Sequence, residues 1–112
     1  MGSSKKDLKE FPKPVQQIVG GHLWIAQQGR KPIAAKVLRG FGGASVLEVV
    51  EDFDGNTYRA VYTVRFRDVV YVLHCFQKKS LHGIATPHHE IEMIHRRMKL
   101  AEEHHRNLKE ES

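Results

Sequence analysis

The chain is 112 residues long, 40% hydrophobic and 28% charged, with a formal net charge of +5 and a pI of about 9.5. That size supports one compact core and leaves little room for a second domain, so residues 1–112 are expected to form a single domain with frayed ends at 1–4 and 109–112. No apolar run approaches the ~20 residues of a membrane span, no signal-type stretch follows Met1, and the lone cysteine, Cys75, excludes an internal disulfide and points to a reducing, cytoplasmic setting.

Ser4-Lys5-Lys6-Asp7 has the form of a capping box and predicts a short helix that stops near Phe11, ahead of Pro12 and Pro14. Pro14 suits the first turn of a second helix. There Val15, Ile18, Val19, His22, Leu23 and Ala26 recur at spacings of three and four, one apolar stripe that ends at Gly29. Residues 29–44 carry Arg30, Lys31, Lys36 and Arg39 among several glycines and read as a basic loop.

Three strands follow, predicted over 45–53, 57–66 and 69–77. Asp54-Gly55-Asn56 marks a hairpin between the first two, and Arg67-Asp68 marks the next turn. On the middle strand Tyr58, Ala60, Tyr62, Val64 and Phe66 share one face. Arg59, Val61, Thr63 and Arg65 share the other. The third strand is apolar on both faces, as a central or well-covered strand would be. Thr86-Pro87 opens a final helix, with Ile91, Ile94, Met98, Ala101, His105 and Leu108 as a narrow apolar seam. The expected fold class is α+β: two N-terminal helices, an antiparallel three- to four-stranded meander and a C-terminal helix. The helices are expected on one face of the sheet, and Arg59 on the other.

The basic balance suits a polyanionic partner, either nucleic acid or an acidic protein. Arg59 on the middle strand, Lys78 and Lys79 past the end of its neighbour, and Lys36 and Arg39 from the preceding loop can converge on a sheet only ~10 Å across. Such a cluster fits a phosphate backbone, or the extra charge of a pentacoordinate phosphorus. The plainer alternative is an Arg59 paired across strands with Glu48 and lysines that only solubilise a strand end. His88, Glu92 and His95 share a helical face, but neither H-E-x-x-H nor Cys-x-x-Cys occurs, so no metal or other cofactor is expected. Cys75 lies mid-strand and reads as an inert thiol. His74 is either a core residue or part of the functional face, and His82, beside a glycine, is free to exchange protons near neutral pH.

Five stretches taken together, DLKEFP, AAKVLRGFGG, TYRAVYTV, YVLHCFQKKS and ATPHHEIEMIHRRM, resemble the phage-derived, HigB-like branch of the RelE toxin superfamily. The resemblance covers roughly residues 3 to 105 and implies a RelE-like fold. It also implies a toxin of a type II toxin–antitoxin pair, acting as a ribosome-dependent messenger-RNA endonuclease and neutralised by a helix-turn-helix antitoxin. The implied chemistry is metal-independent attack by the RNA 2′-hydroxyl on the adjacent phosphate. Carried onto this chain, Arg59 grips the scissile phosphate, and Lys78 and Lys79 stabilise charge or protonate the leaving group. Lys36, Arg39 and Arg65 contact the RNA backbone. Relatives often place lysines on the first strand of the meander, where this chain reads VLEVVEDF, so the general base is open between Glu48 and His82. Relatives also commonly begin with an apolar strand ahead of Gly-Ser-Ser, and its lack would open a sheet edge to a partner or a second copy of the chain. Two alternatives remain: a degenerate, non-catalytic module that binds RNA, ribosome or antitoxin, and a basic protein–protein adaptor.

Overall fold

A computed structural model describes residues 4–33, 35–41, 43, 45–66, 69–78 and 88–111, with the side chains of residues 78 and 108–111 excepted. The order is α1 (Ser4–Lys9), α2 (Lys13–Gln27), β1 (Ala35–Val37), β2 (Val46–Phe53), β3 (Asn56–Thr63), β4 (Tyr71–Lys78) and α3 (His88–Glu111). The strands form one antiparallel sheet in the order β1-β2-β3-β4. The expected α+β class therefore holds, with two N-terminal helices, a four-stranded antiparallel meander and a C-terminal helix.

The hairpin is set by local chemistry. Phe53 pairs with Asn56, leaving Asp54 and Gly55 as a two-residue loop with φ of 51° and 80°. Both are left-handed, as a type I′ turn requires, and Asp-Gly tolerates this best. The α2 stripe buries Val15, Val19, Leu23 and Ala26 against Leu47, Val49, Tyr58, Ala60 and Tyr62 of the sheet. Phe11, between α1 and α2, meets Tyr58 edge-to-face at 4.9 Å between ring centroids.

Two expectations need correction. Residues 35–37 are a strand, not loop: Ala35, Lys36 and Val37 pair with Val49, Glu48 and Leu47. Three residues are too few to show alternation, and β2 imposes the extended form from outside. The helices also do not share one face. α3 packs on the side opposite α2, where Ile94, Met98 and Ala101 join Val46, Val61, Tyr71 and Leu73 in a second cluster. The strand face carrying Arg59 looks polar along β3 alone, but its neighbours on β2 and β4 make it apolar enough to bury the α3 seam. This second layer also explains the two apolar faces of β4, which is an edge strand covered on both sides and not a central one.

One irregularity matters for the site. Val61 pairs with His74 while Tyr62 pairs with Val72, so Leu73 is the extra residue of a β-bulge. Its side chain joins the α3 cluster, and its carbonyl accepts a hydrogen bond from Arg97 Nη1 of α3 at 3.0 Å.

Candidate functional site

Side chains on the α3 side of the sheet form a row across the strands. Lys36 on β1 stands opposite Glu48 on β2. Glu48 stands opposite Val61, two residues from Arg59 on β3, which makes Glu48 and Arg59 diagonal neighbours. Arg59 in turn pairs with Phe76 of β4, and Lys78 follows two residues on, opposite Thr57. Register therefore brings Lys36, Glu48, Arg59 and the C-terminal end of β4 to one region of one face. Lys79 and His82 lie outside the described residues, as does the side chain of Lys78.

Arg59 is not an open cation. It is 5% exposed, and its Nη1 donates to both carboxylate oxygens of Glu48 at 3.2 Å. The cross-strand pairing anticipated as the plainer alternative is present, in a buried setting where each charge offsets the desolvation of the other. Lys36 and Arg39, by contrast, are exposed. Arg65 is not in this group. It lies past the other end of β3, six residues or about 20 Å along an extended chain from Arg59, and its Nη1 donates to Glu102 Oε1 of α3 at 2.6 Å.

Beside Arg59 lies a buried network that sequence reasoning did not assemble. The Phe76 ring stacks on His74, with centroids 5.0 Å apart. Arg97 Nη1 contacts His74 Nδ1 at 3.0 Å and the Ser4 hydroxyl of α1 at 3.2 Å. A guanidinium only donates, so Nδ1 accepts and the ring proton sits on Nε2. There it donates to Glu90 Oε2 at 2.7 Å. His74 is thus a core residue that ties β4 to both ends of the chain, and neither of its nitrogens is free for acid–base work. Arg97 had a visible signal: Glu90, Ile94, Arg97 and Ala101 fall at spacings of four, three and four, one continuous seam of α3.

The remaining candidates sort by burial. Burial pushes the Cys75 thiol up to about 12, with Asp7 adding to the shift, so it is no nucleophile near neutral pH. Burial likewise raises Tyr62 and Tyr71. His88 pairs with Glu92 on the exposed surface of α3 at 2.9 Å. Among the described residues no group of three or more His, Cys, Asp or Glu side chains could hold a metal ion.

Residues 6–99 match a family model described as phage derived protein Gp49-like. The chain belongs to that family. It is a toxin–antitoxin-related family, and the matched span runs from α1 through β4 to the middle of α3. No curated protein matches the chain, and no solved structure does. No described helix is long and apolar enough to cross a membrane.

Proposed function

We propose that this Gp49-like chain is the toxin of a type II toxin–antitoxin pair and cleaves messenger RNA on the ribosome without a metal. The observation that carries the reading is the register that sets Arg59 beside the β4 terminus, with Glu48 and Lys36 in the same row. In the proposed step the scissile phosphate takes the place of the Glu48 carboxylate on Arg59. Glu48 accepts the proton of the 2′-hydroxyl, whose oxygen attacks phosphorus. Arg59 holds the non-bridging oxygens as their charge grows. The bond from phosphorus to the 5′-oxygen breaks, and Lys78, Lys79 or His82 supplies that oxygen with a proton. The products are a 2′,3′-cyclic phosphate and a 5′-hydroxyl. Lys36 and Arg39 hold the RNA backbone. A helix-turn-helix antitoxin is the proposed neutralising partner.

One observation favours a second reading. Arg59 is buried and committed to Glu48, while Lys36 and Arg39 stay exposed. A non-catalytic module would bind RNA or ribosome through such exposed cations alone. Mapping 5′ ends of cellular RNA after induced expression separates the two. New ends within translated messages support the nuclease, as does loss of those ends in Lys78→Ala/Lys79→Ala. Growth arrest with no new ends would leave only the binding module. Cleavage of ribosome-bound message that persists in EDTA supports the metal-free chemistry, and strict dependence on an added divalent ion would reject it.

A further inference from the structure

On the other face of the sheet, away from Arg59, the C-terminal end of α2 overhangs a groove of about 610 Å³. Val37, Leu47, Tyr62, Val64, Phe66 and Val70 are among its lining residues, and Arg30 and Lys31 contribute to it from the loop after α2. Three features set it apart from a packing defect. Its apolar walls reach the surface: Val37 and Val64 are each 41% exposed. Clustered exposed apolar groups of this kind mark interaction surfaces. Tyr62 is fully buried, yet its hydroxyl has no hydrogen-bond partner among the described residues. A buried hydroxyl left in that state costs about 1–3 kcal/mol, and an occupant that accepts its proton recovers this. β1, which contributes Val37, is also the outer strand of the sheet, with a neighbour on one side only among the described residues.

We infer that this groove docks an acidic, apolar-anchored segment of a partner protein: one or two apolar side chains seated near Tyr62, with flanking Asp or Glu meeting Arg30 and Lys31. The cations at the groove and the net charge of +5 favour an acidic occupant and disfavour a second copy of this basic chain. The apolar lining runs from Val37 of β1 to Val64 and Val70 beyond β3, wider than a small ligand covers, which favours a polypeptide. The main-chain groups of such a segment can also extend the sheet along β1. Apart from Phe66, which packs with Tyr71 and His105 at one end, the named apolar lining lies on the α2 side, and the Arg59 row lies on the α3 side, so a partner held here leaves the row uncovered. The inference does not depend on whether that row cleaves RNA.

The test is selection from a random peptide library on the intact chain, followed by titration of the selected peptides, with Trp24, the sole tryptophan, as fluorescent reporter. The expected peptides carry an apolar anchor flanked by Asp or Glu and shift Trp24 emission to the blue. Arg30→Glu/Lys31→Glu weakens them by about tenfold or more at low salt, and less at high salt. Val64→Glu, at an exposed position, abolishes binding. Tyr62→Phe weakens binding several-fold while the free chain unfolds at the same or higher urea, a combination that a merely structural tyrosine does not produce. The inference is overturned by peptides that bind Val64→Glu as well as the parent, or by a selection that yields basic or purely apolar peptides. It is also overturned if concentration-dependent dimerisation is lost in Val64→Glu, or if small aromatic carboxylates fill the groove while no peptide does.

Discussion

Consider removing one partner of the Glu48–Arg59 pair. Both are buried, with side chains 11% and 5% exposed, so each single variant strands a charge in a poorly solvated layer. Breaking such a pair costs about 3–5 kcal/mol. Against a total stability of ~5–15 kcal/mol for a domain of ordinary stability, that is a large fraction. In urea, with a slope of ~1–3 kcal/mol per molar, the midpoint falls by roughly 1–5 M. The two singles should differ in their response to pH. Arg59→Met leaves a carboxylate that escapes its isolation by taking up a proton, so its deficit shrinks as pH falls. Glu48→Met leaves a guanidinium that cannot release its proton, so its deficit persists. Glu48→Met/Arg59→Met removes both charges, keeps side-chain bulk, and is expected within about 1 kcal/mol of the parent. The assay is urea unfolding of all four chains at neutral and mildly acidic pH, combined as a double-mutant cycle. Singles that each lose less than about 1 kcal/mol and add independently would refute the buried-pair reasoning. The double variant has a second use: it is expected to fold, yet it lacks the proposed phosphate ligand and base, so a loss of the proposed toxicity in it would report on chemistry and not on folding.

Three further outcomes are expected. Arg97→Met, which strips donors from the Leu73 carbonyl, His74 and Ser4, should lower stability by about 2–4 kcal/mol and speed amide exchange in α1. Arg97→Lys should rescue little of this, because an ammonium cannot span the same acceptors; urea midpoints and exchange rates check both. For Cys75 the folded value of about 12 lies above the ordinary 9.0, so between these pH values the unfolded chain ionises and the folded one does not. Stability contributed by the neutral thiol is whole below pH 9 and declines above it by up to ~1.4 kcal/mol per pH unit. Cys75→Ala should flatten the loss between pH 9 and 10, and a parallel loss in both chains would exclude the effect. Glu48→Gln weakens the hold on Arg59 and removes the proposed proton acceptor, so it should bind RNA at least as tightly as the parent while cleaving far more slowly, read by filter binding and single-turnover cleavage. Equal cleavage would remove Glu48 from the mechanism.

The parts of this fold that were legible in the sequence are those whose cause is local. The Asp54-Gly55 turn declares itself because few other residue pairs accept two positive φ values. The α2 stripe and the Ile94, Met98 and Ala101 seam follow from helical spacing. What stayed hidden depends on neighbours far along the chain. The strand of Ala35–Val37 exists because β2 offers it a ladder. The second helical layer follows from apolar residues summed over β2, β3 and β4, where β3 alone, with Arg59, Thr63 and Arg65, suggests a wet surface. The bulge at Leu73 shifts the phase of β4 and cannot be seen without the register. In the site, the association of Arg59 with Glu48 was readable as one of two options, and only burial decides that the pair is formed. Arg97 and Glu90 were overlooked because a seam was sought among apolar residues alone.

The burial of Arg59 and its proposed use as a phosphate ligand are compatible for a reason of charge. A guanidinium under a helical layer must have an anion beside it, since it cannot neutralise itself. Glu48 fills that need in the free chain. A phosphodiester carries the same single negative charge and presents a pair of oxygens to the same fork. In the proposed exchange Arg59 keeps an anion beside it throughout, and the cost of arrival includes displacing Glu48 from its cation. In the proposed step the displaced carboxylate lies next to the phosphate, where it accepts the proton of the 2′-hydroxyl. A chain with lysines in place of Glu48 would hold phosphate more strongly from the outset. On the proposed mechanism, a chain with Glu48 couples the arrival of the phosphate to the release of its own base.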